Sequence, residues 1–167
     1  RRDLGEPMAH FRHAGENDCR ELGAFAAARR AAQSSVDDAD LVVFGVTPTR
    51  PETGFGWIVA SDATPSGAAR VTRFVEKPPS QVAEALLAQG ARWNAGIFAG
   101  RVDAFVQAFA RYLPRTARLL QADAVTESAW FSTEATSIDH GVMEPAAGDG
   151  ALVMVPVACG WSDLGAW

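Results

Sequence analysis

Phe74-Val75-Glu76-Lys77-Pro78 sets the only lysine of the chain directly after a glutamate. The other fourteen of the fifteen Lys and Arg residues are arginines, so an unconstrained basic position here would almost always hold Arg. An ammonium is a compact, strongly hydrated point charge on a flexible stem, suited to one phosphate oxygen. A carboxylate has acceptors and no donor of its own, so Glu76 can take hydrogen bonds from hydroxyls. A hydroxyl acceptor beside a phosphate cation is a grip for a sugar phosphate. Neighbours on a strand project to opposite faces. Both side chains can meet one ligand only where the strand ends or bulges, and Pro78 predicts an end. An exposed ion pair at a strand end would account for the same two residues, and the local sequence leaves both readings open.

Other segments carry groups of the same kind. In Thr47-Pro48-Thr49-Arg50-Pro51-Glu52-Thr53-Gly54-Phe55-Gly56-Trp57-Ile58, the prolines and glycines indicate a loop of fixed geometry. Gly54 and Gly56 would let backbone amides approach a ligand, although a plain connecting loop fits as well. Asn94, two residues before Gly96, offers a donor and an acceptor together, which suits a sugar hydroxyl; an Asn in a turn is the alternative. Asp163 follows a strand among small residues and is placed to hold a hard cation through oxygen, or to cap a helix. His10-x-x-His13 with Asp18 and Cys19 lacks the second spaced pair of a metal site. His140 is given no chemistry.

The elements that must position these groups alternate. The apolar run Asp40 to Val46 suits a strand buried on both faces. Trp57 to Ala60, Ala69 to Val75 and Ala151 to Val157 read as further strands. Helices are expected from Arg20 to Gln33, from Ser80 as cap to Gly90, from Val102 to Leu113, and from Pro114 to about Val125. Ser137 caps a short helix through Glu144, and Trp130 and Phe131 are expected in the core. Strands alternating with helices predict an α/β layered domain. Residues 1–19 read as a poorly ordered arm, and 20–167 as one domain or a large piece of one.

The chain has 167 residues, 48% hydrophobic and 21% charged, an ordinary globular composition. A net charge of −5 with scattered arginines gives no reason to expect a nucleic-acid surface. No apolar run approaches the roughly 20 residues of a membrane span, and no secretory signal pattern is present. Two distant cysteines, Cys19 and Cys159, form no disulfide framework, so a reducing cytoplasm is the default expectation. The chain begins at Arg1 and stops at Trp167 just after a Gly-rich loop, and both ends read as cut.

Taken in order, Gly45–Ile58, Phe74–Pro78, Trp93–Phe98, Ser137–Glu144 and Gly160–Trp167 resemble the mannose-1-phosphate guanylyltransferases, a family of sugar-nucleotide pyrophosphorylases. The resemblance covers about residues 41 to 167. It implies a Rossmann-like nucleotide-diphospho-sugar transferase fold, a mixed sheet covered by helices, incomplete at the amino-terminal side. It implies that GTP and mannose 1-phosphate give GDP-mannose and pyrophosphate with Mg²⁺. By motif, Glu76 and Asn94 would hold mannose hydroxyls, helped by the amide of Gly54 or Gly56. Lys77 would bind the sugar phosphate, and Asp163 the metal. Neither a nucleic acid nor a membrane partner is implied, and a homo-oligomer is compatible with the family.

The chain departs from the family pattern at Phe55 and Trp57, where tyrosines are usual, at Ala95 in place of Ser, and at His140-Gly141 in place of Tyr-Ala. The amino-terminal Gly-rich nucleotide loop and the Leu-Pro-x-Asp-His stretch have no counterpart in residues 1–20. The expectation is therefore a sugar-binding and carboxyl-terminal part that is inactive alone, with an exposed sheet edge and poor stability. A nucleotidyltransferase for another hexose 1-phosphate, or a non-catalytic sugar-nucleotide-binding remnant, are the alternatives.

Overall fold

The computed structural model describes residues 8–12, 17–18, 22–35, 41–62, 67–122 and 124–163, the first two segments by backbone alone. Its elements in chain order are β1 (Met8–Arg12), β2 (Asn17–Asp18), α1 (Leu22–Ser35), β3 (Leu41–Val46), β4 (Trp57–Ala60), β5 (Ala69–Val75), α2 (Ser80–Ala88), β6 (Arg92–Arg101), α3 (Val102–Tyr112), α4 (Pro114–Leu120), α5 (Glu127–Phe131), a π-helical turn (Asp139–Met143), α6 (Glu144–Gly148), β7 (Leu152–Val157) and β8 (Ser162–Asp163).

β3 is the axis of the sheet. All six of its residues are buried, as an unbroken apolar run requires. It pairs parallel with β7 and antiparallel with β6. Full burial stabilises a large apolar side chain by about 1.5–3 kcal/mol, and β3 places such groups on both faces. The six-stranded order is β1-β6-β3-β7-β5-β4, and β4 returns to pair with the first residues of β6. Two helical layers cover the sheet. On one face α1 and α2 bring Ala32 and Leu86 against Val42, Phe44, Val46, Trp57 and Trp93. On the other, α3, the π-helical turn and α6 bring Phe105, Val142 and Ala146 against Leu41, Val43, Ile58 and Phe98. The α/β class and mixed, helix-covered sheet expected from sequence are what the chain forms.

Some local expectations change. Met8–Arg12, within the stretch expected to be a poorly ordered arm, pair along β6 from Arg101 to Ile97. His10 belongs to that strand, while His13 and Cys19 lie outside the described residues. Pro79, not Ser80, is the cap of α2, and the Ser80 hydroxyl instead donates to Glu84. Pro79 already has the extended backbone of a cap, which leaves Ser80 as the first helical residue. Gly90 closes this helix, its N–H bonding Leu87 O while that of Ala91 bonds Leu86 O. α4 stops at Leu120 instead of near Val125: the helical bond of Gln121 N–H to Ala117 O is the last of its kind, and the Ala122 N–H bonds Leu119 O in a tighter closing turn. Trp130 and Phe131 are not core: they are 49% and 75% exposed, on the single turn of α5. Apolar character predicts burial only one way, since much of any folded surface is apolar. Among the described residues no helix is long and apolar enough to cross a membrane.

Candidate functional site

The end of β5 builds the first half of the site. The strand stops at Val75, as Pro78 predicted. Lys77 then takes φ 45°, the only positive φ outside glycine among the described residues. Left-handed backbone costs a non-glycine residue roughly 1–2 kcal/mol, and strain of this kind gathers at functional positions. The Lys77 N–H donates to Phe55 O at 3.2 Å, which ties the turn to the neighbouring loop. The turn resolves the problem of opposite strand faces: Lys77 Nζ lies 3.7 Å from Glu76 Oε1. The carboxylate is largely buried and the ammonium is 66% exposed, so the cation faces solvent from a fixed base.

β6 and the loop before β4 build the second half. Asn94 sits inside a strand rather than a turn, and its N–H donates to Gly56 O at 2.7 Å. A turn-like feature survives within the strand: Gly96 has φ 66°, and its N–H donates to Asn94 Oδ1 at 3.0 Å. Gly56 is required by its neighbours. A Cβ there would lie 2.5 Å from Glu76 Oε2 and 3.2 Å from Asn94 Nδ2. The carboxylate of Glu76 and the amide of Asn94 therefore converge on one point above the Gly56 backbone. Behind them, Asn94 Nδ2 donates to Asp139 Oδ1 at 2.7 Å in a buried hydrogen bond. Asp139 opens the π-helical turn, a distortion often found at functional sites. Ser137 fixes the start of that turn: its Oγ accepts from His140 N–H and its carbonyl from Gly141 N–H.

The opposite face of the same strands is aromatic. Phe55 meets Trp93 at 5.2 Å and Trp161 at 5.3 Å between ring centroids, both nearly perpendicular. Arg50 lies over the Trp93 ring and pairs with Glu52 at 2.9 Å. Glu52 organises the loop. Its Oε1 accepts the Gly54 N–H, its Oε2 accepts from Arg50, and its backbone carbonyl accepts Trp57 Nε1–H. The Gly54 amide and then the Arg50 guanidinium hold its carboxyl below the ordinary glutamate range. The Gly54 amide, expected to face a ligand, thus donates within its own loop. Asp163 is exposed in β8, opposite Asn17, and Trp161 two residues earlier anchors that segment on Phe55 and Trp93.

The nucleotidyl transferase family model matches residues 14–167. The chain belongs to the nucleotidyl transferase family. It is 38% identical over 160 residues to the xanthan biosynthesis protein XanB of Xanthomonas campestris, covering 89% of this chain and 33% of that protein. It is 35% identical over 160 residues to the mannose-1-phosphate guanylyltransferase ManC of Salmonella typhimurium, covering 86% of this chain and 33% of ManC. Among solved structures, that of a mannose-1-phosphate geranyltransferase from Thermus thermophilus superposes with a TM-score of 0.84 at 29% identity, over 96% of this chain and 47% of that one. The chain spans about a third of the length of these curated relatives.

In this nucleotidyl transferase chain, contacts join four of the residues expected from sequence: Gly56, Glu76, Lys77 and Asn94. Gly54 stands in the adjoining loop, and Asp163 is carried by the segment packed on the aromatic face. Asp139, the buried partner of Asn94, was not singled out from the sequence. It stands in a segment that carried the resemblance, but nothing local marks it as a partner of a residue 45 positions earlier. As for metal, among the described residues no group of three or more His, Cys, Asp or Glu could hold an ion. Magnesium commonly takes only one or two protein carboxylates, the rest of its shell coming from phosphate and water. An exposed single carboxylate such as Asp163 fits that mode.

Proposed function

We propose that this chain carries the sugar-phosphate-binding side of a mannose-1-phosphate guanylyltransferase, with mannose 1-phosphate as its ligand and GTP as the nucleotide donor. The observation that supports it is the convergence of Glu76 and Asn94 at Gly56, with the Lys77 ammonium 3.7 Å from the same carboxylate. Hydroxyl-reading groups and one exposed ammonium gather where β5 ends beside β6, and a phosphorylated hexose offers both hydroxyls and a phosphate to such a set. In the reaction, a phosphate oxygen of the sugar phosphate bonds to the α-phosphorus of GTP. The bond from that phosphorus to its bridging oxygen breaks, and pyrophosphate leaves. Phosphoryl-type transfer asks the protein mainly for positioning and charge neutralisation. Glu76 and Asn94 orient the hexose, and Lys77 neutralises its phosphate and aims it. Mg²⁺, held by Asp163, would supply charge neutralisation at the phosphates when bound.

The test is calorimetric titration of the 167-residue chain with mannose 1-phosphate and with glucose 1-phosphate. Mannose 1-phosphate is expected to bind more tightly. Lys77→Ala should weaken it by about tenfold or more, equivalent to about 1.4 kcal/mol or more, with Lys77→Arg recovering only part because a planar fork replaces a point charge. Preference for glucose 1-phosphate would overturn the choice of sugar, and unchanged affinity in both variants would remove Lys77 from the site.

A further inference from the structure

We infer that Asp139 is a positioning residue: through its hydrogen bond to Asn94 it fixes which edge of the amide reads the ligand. The inference rests on the proposed role of Asn94 in holding a sugar hydroxyl. A carboxamide has two N–H donors and two acceptor lone pairs. In Asn94 one donor goes to Asp139 Oδ1 at 2.7 Å, and one lone pair takes the Gly96 N–H at 3.0 Å. One N–H and one lone pair remain. These two internal bonds also set the orientation of the group. Turned by half a rotation, the amide would face its oxygen to the Asp139 carboxylate and its NH₂ to the Gly96 N–H, two repulsive contacts in place of two attractive ones. Asn94 is 8% exposed and Asp139 2%, so water cannot readily compensate either loss.

The fixed orientation has a chemical consequence at Gly56. The nitrogen edge of Asn94 and the Glu76 carboxylate flank Gly56 together, 3.2 Å and 2.5 Å from where a Cβ on that glycine would stand, so the two groups are near neighbours. A donor edge and an acceptor side by side suit a hydroxyl that accepts from Asn94 and donates to Glu76. Were the amide free to turn, its oxygen would stand beside the carboxylate, and the pair would reject that hydroxyl. Asp139 thus decides whether the pair can tell a hydroxyl from a hydrogen at this position of the sugar. A buried site built for one hydroxyl penalises an analogue lacking it far more strongly than apolar contact can.

The experiment measures binding of mannose 1-phosphate and of its singly deoxygenated analogues to the 167-residue chain and to Asp139→Ala and Asp139→Asn. The unmodified chain is expected to penalise one analogue by about tenfold or more. Asp139→Ala, which leaves the amide held by the Gly96 N–H alone, should shrink that penalty by about threefold or more, whereas Asp139→Asn, whose own amide oxygen can accept from Asn94, should keep most of it. Equal weakening of every analogue in Asp139→Ala, or an unchanged penalty, would overturn the inference and leave the proposed function standing. No binding of mannose 1-phosphate to the unmodified chain would overturn the function itself. Should Asp139→Ala not fold, hydrogen exchange at the Asn94 side chain of the unmodified chain decides. One slow and one fast Nδ2 hydrogen support the inference; two fast ones overturn it.

Discussion

Trp93 and Asn94 are consecutive in β6 and stand on opposite faces of the sheet, and the two faces are ordered by different physics. On the Trp93 side, Phe55 and Trp57 pack edge to face and Trp161 at a tilt around it. Two indole N–H groups there, those of Trp93 and Trp161, are buried without a hydrogen-bond acceptor among the described residues. Such a group costs about 1–3 kcal/mol, so dispersion and ring contacts must outweigh it. On the Asn94 side the amide is bonded at both ends, to Gly96 and to Asp139. Shape holds the first face and hydrogen-bond direction holds the second. A packed aromatic face supplies stiffness, which the directional face needs if its remaining donor is to select a ligand.

The largest effect should come from the aromatic side. Trp93 is 5% exposed, touches three other rings and carries Arg50 on its face. Trp93→Ala is expected to destabilise the fold by about 3–5 kcal/mol, the usual range for emptying a large aromatic site. Denaturant unfolding measures this. A loss under about 1 kcal/mol together with abolished sugar-phosphate binding would break the comparison, because a packing residue would then be acting as a ligand residue.

The same division governs what could be read from the sequence. The strand end at Glu76-Lys77-Pro78 was legible because proline chemistry is local, and β3 because an unbroken apolar run has few other homes. The Ser137 cap was legible for the same reason, although the turn it starts is π-helical and not α-helical. The Asn94–Asp139 bond was not, since it depends on how the π-helical turn packs across the sheet. Nor was the exposure of Phe131, because side-chain polarity does not say which apolar groups the folded surface retains. Gly54 shows a third limit. A glycine amide announces that it can approach something closely, but not whether that is a ligand or, as here, Glu52.

A smaller effect, confined to the directional face, is expected from Gly56→Ala. Its backbone does not need glycine for a positive φ, so the strain is steric. The new methyl would meet Glu76 Oε2 at 2.5 Å and must displace that carboxylate or the Asn94 amide. Mannose 1-phosphate affinity should fall by about tenfold, while stability drops by about 1–2 kcal/mol, within the range for overpacking. Unchanged affinity measured by titration would mean that the Glu76–Asn94 pair beside Gly56 does not read the sugar.

The smallest effect concerns the loop that joins the two faces. Glu52 receives the Gly54 amide next to the site and pairs with Arg50 on the aromatic side, so its charge links them. Both contacts favour the ionised carboxylate and depress its pKa below the ordinary value of 4.5. A depressed acid stabilises the fold fully above its unfolded pKa, and that contribution is lost as pH falls through the lower, folded value. The loop should therefore stay tied at neutral pH and loosen only below pH 4.5. The Gly54 amide resonance reports this directly, and its acid midpoint should lie under that value and vanish in Glu52→Gln. The same substitution should cost less than about 1 kcal/mol, because the pair is near the surface and screened by water. A Gly54 midpoint at or above the ordinary value would mean that Glu52 is not held by these donors. The two faces would then be coupled through the β4–β6 pairing of Trp57 with Trp93 and not through the loop.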